Sequence, residues 1–390
     1  MLPVLTYDPL DPATLDNPYP ALAVLREQTP VSWHDDMSSW LVTRYADCVQ
    51  VLRDHATFAR DRRRTGGSVP AASLSVQSLD PPGQAGVRSL FMNALHAQDL
   101  AGLEARARAR AVRILCEVGD EPSFDVMAGL AAPLSLSVVC DLLGVDEPPL
   151  AGFAAASEAI MRSMDGGLDP ALVEPGRRAR EELTGLVDSW FTGSGRPDGL
   201  LTHVRAHTPP AAGREEELFI RNTARVMFQG GYSTMTAAIG NALHTLTTHP
   251  DAQERLRRDP RVVPWAAEEL VRFDGPVQGT SRTATRACEI AGVQVPAGDT
   301  VVLLFAAANR DPAQFPSSEQ LLLDRRHNRH LGYGWGTHSC IGTRAAQACL
   351  RATLDALRTC PTPLRSAGTA LRQRSATMRT FAALPATLRP

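Results

Sequence analysis

The sequence of 390 residues contains no lysine, so arginine supplies all 40 of its Lys-plus-Arg side chains. A GC-rich genome explains this most simply; alternatively, arginine is used because its planar fork binds carboxylates and phosphates. The chain also lacks a surplus of positive charge, since 42 acidic residues leave a formal net charge of -2. Nucleic-acid-binding proteins normally carry such a surplus, so we expect no nucleic-acid partner.

Segments typical of export or membrane insertion are missing as well. The N-terminal stretch MLPVLTYDPLDPATLDNPYP has neither a basic start nor a long apolar run, so we expect no signal peptide and no membrane anchor. No repeats or low-complexity linkers divide the chain, and 44% of its residues are hydrophobic. We therefore predict a single domain over residues 1–390, in a cytoplasmic protein without a membrane partner.

The seven cysteines show no short, regular spacing of the kind that builds a disulfide framework or a zinc site. Cys340 stands out because it lies in the glycine-rich stretch GYGWGTHSCIG, residues 332–342, whose composition suits neither a helix nor a strand. The other six are expected to be buried or incidental thiols: Cys48, Cys116, Cys140, Cys288, Cys349 and Cys360.

Apolar residues recur mostly at helical spacing, and the strand-like segments are short. Strands are predicted as a hairpin over residues 31–45 and as further segments over residues 283–305, while residues 60–80 predict a long loop. Helices are predicted over Asn17–Thr29, Leu100–Val118, Val126–Leu143, Leu150–Ser163, Gly176–Phe191, Glu215–His249, Val263–Phe273 and Thr343–Thr359. The fold class is therefore mostly α with small β-sheets.

The longest predicted helix, Glu215–His249, contains the stretch QGGYSTMT. Its two glycines and its hydroxyl residues suit a helix interior poorly. An interruption of a long buried helix at such a place indicates the close approach of a ligand.

The residues around Cys340 suit a sulfur ligand. Glycines before it can adopt backbone angles that let the chain wrap around one sulfur atom. The helix that begins just after it would stabilise a thiolate with its positive end. A buried thiolate needs a positive partner, and haem iron is a metal that brings most of its own ligands. A glycine-rich turn around a core cysteine is the alternative.

This stretch resembles the haem-binding loop of the cytochrome P450 family, Phe-Gly-x-Gly-x-His-x-Cys-x-Gly. This chain departs from the family pattern only at the first position, where tyrosine replaces phenylalanine. The resemblance extends from NPYP to ALP at Ala383–Pro385, and it implies a triangular helical prism around haem b, with Cys340 as the axial ligand of the iron. The matching residues, expected to form the cofactor-binding loop, are Tyr333, Gly334, Gly336, His338, Cys340 and Gly342.

The resemblance also implies residues that bind the two haem propionates. Arg282 and His338 stand at positions with this role. Arg88 fills the arginine position of a His-x-x-x-Arg pattern with the same role, and Gln84 replaces its histidine. Gln84 can still donate a hydrogen bond but carries no charge. Cationic forks at these positions suit two carboxylates that enter a protein.

A Glu-x-x-Arg motif places Glu269 and Arg272 on one face of a helix, where they can pair. Alone, such a pair is common on helix surfaces. In the family it is buried and holds the segment around the cysteine loop. We therefore expect a structural pair.

The centre of the long helix matches the family pattern Ala/Gly-Gly-x-Asp/Glu-Thr at residues 230–234. Gly230 and Gly231 would open a groove for dioxygen, and Thr234 keeps the usual hydroxyl. The acid, however, is replaced by Ser233. A serine cannot supply a proton at neutral pH as a carboxyl relay can, so protons would come from water, from the substrate or from another group.

Substrate-facing residues follow from the same resemblance. They are the loop Arg62–Leu79, Met227 on the long helix, Val277 and Thr280 after Pro276, and Met378. A mostly apolar pocket of this kind suits a medium-sized natural product. Tyr232 either shapes the pocket or packs against the neighbouring helix, and the three arginines at 62–64 either attract an anionic or carrier-bound substrate or form a solvated loop.

The resemblance implies a monooxygenase that oxidises, most simply hydroxylates, a secondary metabolite with dioxygen. Two electrons would come from a ferredoxin and its reductase, which Arg88 and Arg344 could help to dock, since no flavin or iron–sulfur motif is fused to the chain. One alternative is oxidative coupling, ring formation or C–C bond chemistry without oxygen insertion. Another is a catalytically silent P450-like partner or a haem sensor.

Overall fold

The fold is mostly helical, as predicted. A computed structural model describes residues 7–193, 198–209 and 213–389. Its helices are α1 (Pro12–Asp16), α2 (Tyr19–Gln28), α3 (Tyr45–Arg53), α4 (Ala85–His96), α5 (Leu100–Gly119), α6 (Ala132–Leu143), α7 (Leu150–Arg162), α8 (Val173–Thr192), α9 (Leu200–His207), α10 (Arg214–Thr248), α11 (Pro250–Arg258), α12 (Val263–Asp274), α13 (Phe305–Ala308) and α14 (Thr343–Arg358).

The strands are short and form small sheets. They are β1 (Val31–His34), β2 (Ser39–Val42), β3 (Phe58–Ala59), β4 (Phe124–Asp125), β5 (Gly279–Ala284), β6 (Cys288–Ile290), β7 (Val293–Val295), β8 (Thr300–Leu304), β9 (Arg365–Ser366), β10 (Leu371–Arg372), β11 (Phe381–Ala383) and β12 (Pro385–Thr387). The largest sheet has the order β1-β2-β8-β5-β3. In it β1 and β2 form the predicted hairpin, and β2 runs parallel to β8.

Pairings between strands connect distant parts of the chain. β12 lies between β4 and β9, so residues near 125 and near 386 share a three-stranded sheet. The five-stranded sheet joins residues 31–59 to residues 279–304 in the same way. The prediction of one domain over residues 1–390 includes positions outside the described ranges and stays a prediction.

Helix α10 forms the centre of the helical part and packs against α6, α8, α12 and α14. The QGGYSTMT stretch does not interrupt it, because all of Arg214–Thr248 is helical. Close packing explains one glycine: a Cβ atom on Gly231 would lie 3.2 Å from Val139 Cγ2 on α6. At Gly230 a Cβ would meet no atom within 4 Å. The helix predicted over Glu215–His249 is therefore confirmed, and its two glycines have different surroundings.

The predicted long loop over residues 60–80 has little regular structure. It contains two short 3-10 turns, Arg62–Thr65 and Ala71–Ser73. Throughout the part of the chain that the structure describes, no helix is both long and apolar enough to cross a membrane.

Candidate functional site

A cavity of about 900 Å³ lies between the middle of α10 and the loop that precedes α14. Gly230, Gly231 and Thr234 of α10 contribute to its lining, and so does Cys340. The interior is therefore bounded on one side by the glycine pair and on another by the cysteine loop.

The cysteine loop folds back on itself before α14 begins. Gly334 and Gly336 have left-handed φ angles of 70° and 71°, which residues with a Cβ rarely adopt. A Cβ on Gly336 would lie 2.7 Å from the carbonyl oxygen of Leu52. The N–H of Cys340 donates to the carbonyl of Tyr333 at 2.8 Å, and the Thr343 hydroxyl donates to the carbonyl of Cys340 at 2.9 Å. These contacts fix the position of Cys340 at the cavity.

The electrostatics of Cys340 favour a bound cation. Cys340 has solvent-accessible surface and lines the cavity, and many protein atoms lie around its thiol. Burial raises the pKa of its thiol, although hydrogen bonds from Gly342 and Thr343 and the charge of Arg88 oppose this shift. A metal ion supplies the missing positive partner and replaces the thiol proton. The position suits a thiolate ligand only when such a cation is present.

Arginines that form no ion pair gather at the same cavity. Arg60, Arg88 and Arg282 all line it, and none of them pairs with a carboxylate side chain within the described ranges. Arg282 is only 5% exposed and donates to the Thr280 hydroxyl at 3.2 Å and the Ser281 carbonyl at 2.8 Å. Burial and then the charge of Arg60 lower the pKa of Arg282 to about 9. Buried charges without counterions are costly, so this group fits a ligand that carries carboxylates.

Arg88 also faces inward. Its Nη2 donates to the carbonyl of Ser339 at 2.9 Å and to its hydroxyl at 3.0 Å. Burial lowers the pKa of Arg88, and the nearby Cys340 opposes this shift. Because Arg88 is turned toward the cavity, its second predicted role, docking of a redox partner at the surface, is not supported. Arg344, the other candidate for docking, is exposed.

His338 contacts both Gln84 and an acid that sequence reasoning missed. The amide Nε2 of Gln84 lies 3.2 Å from His338 Nδ1, and His338 Nε2 lies 3.1 Å from Asp80 Oδ1. An amide that donates to Nδ1 leaves the ring proton on Nε2, which then donates to Asp80. Burial lowers the pKa of His338, although Asp80 opposes the shift. The propionate roles of His338 and Gln84 stay predictions.

Asp80 is an acid within an otherwise cationic region. Burial opposes its ionisation, but hydrogen bonds from His338, from the backbone N–H groups of Asp61 and Arg60, and from Arg64 hold its pKa well below the usual range. Neither Asp80 nor Arg60 carries a signal in the sequence, because both lie at the ends of the long loop. Only the folded chain brings Arg60 to the cavity and Asp80 to His338.

On α10, the Thr234 hydroxyl donates to the carbonyl of Gly230 at 2.7 Å. Ser233 and Tyr232 are not among the described residues that line the cavity. The Tyr232 ring is 5% exposed and lies with its edge against Phe153 of α7, at a centroid distance of 4.7 Å. Tyr232 therefore packs against a neighbouring helix, and its prediction as a pocket wall is corrected.

The remaining predicted walls do line the cavity. They are Met227, Val277, Thr280 and Met378, together with much of the loop Arg62–Leu79. Val277 and Met378 also form an isolated β-bridge. Two of the three adjacent arginines are engaged with acids, since Arg63 pairs with Asp61 at 2.7 Å and Arg64 pairs with Asp80 at 3.0 Å.

The pair of Glu269 and Arg272 is fully buried on α12. Two nitrogen atoms of Arg272 donate to the two carboxylate oxygens of Glu269, each at 2.8 Å. Arg272 also donates to the carbonyls of Asn309 and Ser318, and Arg325 donates to Glu269 at 3.0 Å. The pair thus ties α12 to residues 309–325, which lead to the cysteine loop.

Comparison with known proteins agrees with this geometry. The family model described as "Cytochrome P450" matches residues 215–357. The chain is 30% identical over 347 residues to 6-deoxyerythronolide B hydroxylase of Saccharopolyspora erythraea, covering 84% of this chain and 85% of that relative. It is also 30% identical over 339 residues to mycinamicin IV hydroxylase/epoxidase of Micromonospora griseorubida, covering 82% and 81%.

Solved structures show the same architecture. The crystal structure of CalO2 superposes with a TM-score of 0.85 at 27% identity, over 99% of this chain and 100% of that chain. A mutant of P450 EryK in complex with erythromycin B superposes with a TM-score of 0.85 at 28% identity, over 96% of both chains.

Proposed function

Because the chain belongs to the cytochrome P450 family of monooxygenases, we propose that Cys340 binds the iron of a haem b as its thiolate. One observation carries the proposal: Cys340 and three arginines without acid partners, Arg60, Arg88 and Arg282, line one cavity. The thiolate suits the iron, and the arginines suit the two propionates. When bound, the haem supplies the iron that activates dioxygen with two electrons.

The chain's own residues would shape the reaction on the α10 side. The Thr234 hydroxyl gives its hydrogen to the Gly230 carbonyl, so its oxygen can accept a hydrogen bond from a group in the cavity. Gly230 leaves room beside it. Ser233 supplies no acidic proton, so a water molecule or the substrate is the proton source.

The substrate we propose is a medium-sized secondary metabolite, and the reaction is hydroxylation or a related oxidation. The walls assigned to the substrate include the apolar side chains of Met227, Val277 and Met378, and mostly apolar walls are typical of small-molecule sites. Relatives named as hydroxylases of 6-deoxyerythronolide B and erythromycin support the substrate class. We propose a ferredoxin and its reductase as electron donors, docked near the exposed Arg344, and a cytoplasmic location.

A second reaction type is favoured by Ser233. Coupling or ring formation removes hydrogen atoms without inserting oxygen, and it places different demands on proton delivery from oxygen insertion. Turnover of an identified substrate under isotopically labelled dioxygen separates the two: label in the product shows oxygen insertion, and unlabelled product shows coupling.

The test of haem ligation is the spectrum of the reduced protein with carbon monoxide. We expect the red-shifted band of a thiolate-ligated haem in the wild type and its loss in Cys340→Ala, because no other thiolate replaces the ligand. Cys349→Ala is the matched control, since Cys349 also lines the cavity but is 1% exposed. A band that survives in Cys340→Ala, or disappears in Cys349→Ala, would contradict the assignment of Cys340.

Proton delivery is tested by Ser233→Asp, which restores the acid that the family pattern has. We expect a larger share of the consumed reducing equivalents to appear in product, because a carboxyl relay then competes with the loss of reduced oxygen. The measurement is product formed per NAD(P)H oxidised. An unchanged ratio would show that protons follow another route.

A further inference from the structure

A second pair of arginines lines the cavity away from the cysteine loop. Arg180 lies on α8 and Arg225 on α10, and both contribute to the lining. In the ranges that the structure describes, neither forms an ion pair with a carboxylate, whereas their neighbours Arg177, Arg178 and Arg221 all do. These two guanidinium groups therefore face the cavity without a counterion.

The hydrogen bonds of this pair go to neutral acceptors. Arg225 is 5% exposed and donates to the Thr184 hydroxyl at 2.8 Å and to the carbonyl of Ala72. Arg180 donates to the Ser163 hydroxyl at 2.6 Å. Burial and then the charge of Arg180 lower the pKa of Arg225 to about 10, so Arg225 remains charged at neutral pH. A buried charge that meets only neutral acceptors is costly, and an anion reduces that cost.

The acids nearest in the fold are engaged elsewhere. Asp188 of α8 pairs with Arg221 at 3.1 Å, and its side chain is 45% exposed. Asp165 also lines the cavity, but its two oxygens accept four hydrogen bonds, from the backbone and side chains of residues 375–377. The charge of Asp188 partly opposes the lowering of the Arg225 pKa, but within the described ranges neither acid forms an ion pair with the arginine pair.

We propose that Arg180 and Arg225 bind a carboxylate of the substrate and so orient it for oxidation. The inference rests on the proposed function, because it takes the cavity to be the substrate site of a monooxygenase. It also places the anion site at other arginines than the sequence suggested. Arg62–Arg64 were candidates for binding an anionic substrate, but two of those arginines pair with Asp61 and Asp80. Arg180 and Arg225 also have no acid partner within the described ranges, and they lie deeper than that exposed loop, on α8 and α10.

The position of Arg225 on α10 sets its distance along the helix from Gly230 and Thr234. With a rise of about 1.5 Å per residue, Arg225 lies roughly 7 Å along the axis of α10 from Gly230 and roughly 13 Å from Thr234. A substrate held there by its carboxylate would be oxidised at a carbon remote from that acid, because Gly230 and Thr234 line the cavity further along α10.

The experiment is isothermal titration of the haem-loaded protein with matched acids and methyl esters: dodecanoate, naphthylacetate and abietate, each with its ester. A charged hydrogen bond contributes about 1.5–3 kcal/mol, so we expect at least one acid to bind about tenfold or more tightly than its ester. Arg180→Gln should reduce this preference, and Arg180→Gln with Arg225→Gln should abolish it. Arg225→Lys should retain part of it, because the charge remains.

Arg62→Gln is the matched control, because Arg62 is an exposed arginine of the same cavity. It should leave the preference for acids unchanged. Any one of four results would overturn the proposal. They are equal affinity for all acids and esters, no binding of any acid, a preference for acids that survives the double variant, and loss of that preference in Arg62→Gln. The heat of binding does not depend on turnover, and the carbon monoxide spectrum of the same preparation tests haem ligation separately, so either proposal can fail alone.

Discussion

Arg272 and Arg225 are both almost completely buried arginines, but their surroundings are opposite. Arg272 lies against the carboxylate of Glu269, and its other donors reach backbone carbonyls of residues 309–320. Arg225 meets a hydroxyl and carbonyls, and its free side faces the cavity. The first arginine is used to hold the chain together, while the second keeps the capacity to bind a molecule that is not part of the chain.

The difference has an energetic basis. Removing one partner of a buried ion pair leaves an uncompensated charge and costs about 3–5 kcal/mol, whereas a buried charge without a partner already bears its desolvation cost. Removing a charge should therefore destabilise the fold strongly at the pair of Glu269 and Arg272, and only slightly at Arg225.

The largest effect is expected for Glu269→Gln. This substitution leaves Arg272 and Arg325 without a counterion in the interior, so the free energy of unfolding should fall by about 3–5 kcal/mol. Chemical denaturation followed by circular dichroism measures it. The control is Glu174→Gln, which breaks an exposed pair with Arg177 at the same i, i+3 spacing and should change stability little. Similar losses in both variants would contradict the role assigned to burial.

An intermediate effect is expected for Asp274→Asn. Asp274 pairs with Arg379 at 2.5 Å and with Arg372 at 3.2 Å. Burial opposes its ionisation, but these arginines and the Tyr19 hydroxyl lower its pKa to about 2. A lowered pKa stabilises the folded state above the unfolded pKa of about 3.9, by about 2–3 kcal/mol, and this contribution disappears as the pH falls toward 2.

The Asn variant should therefore lose about 2–3 kcal/mol of unfolding free energy at neutral pH, and little near pH 2. Denaturation curves of both proteins across this pH range measure the difference. A gap that stays constant down to pH 2 would show that Asp274 acts through packing rather than through its charge.

The smallest effect on stability is expected for Arg225→Met. No carboxylate loses a partner, and methionine fills similar space without a charge, so the free energy of unfolding should change by about 1 kcal/mol or less, in either direction. Thermal unfolding of the ligand-free protein measures it. A loss as large as that of Glu269→Gln would mean that Arg225 serves the fold, as Arg272 does, and not a ligand.

The sequence predicted those parts of the site that depend on local pattern. The cysteine loop was recognisable because Gly334 and Gly336 need left-handed backbone angles, which few residues tolerate. Helix α10 was predicted by its apolar spacing, and its two glycines do not break it. Tyr232 was predicted either to shape the pocket or to pack against a neighbouring helix, because residue spacing alone does not show which face meets Phe153.

Among the arginines without acid partners, Arg88 and Arg282 were named from the sequence, but three others could not be recognised in this way. Arg60, Arg180 and Arg225 look like the many other arginines of a chain without lysine. What distinguishes them is that no described carboxylate side chain forms an ion pair with them, and this depends on the packing of α8, α10 and the 60–80 loop. The same holds for Asp80, whose contact with His338 joins residues 258 positions apart.

Asp165 affects how molecules can enter and leave the cavity. Its hydrogen bonds fasten the turn at 375–377 to the segment after α7, so these two walls of the cavity are expected to move together. Opening at this place would break several charge-assisted hydrogen bonds at once. Solvent should exchange without breaking these bonds, beside lining residues that are already exposed, such as Met164, Ser68 and Pro70. Asp165 therefore limits how the walls of the cavity can separate without closing the cavity to solvent.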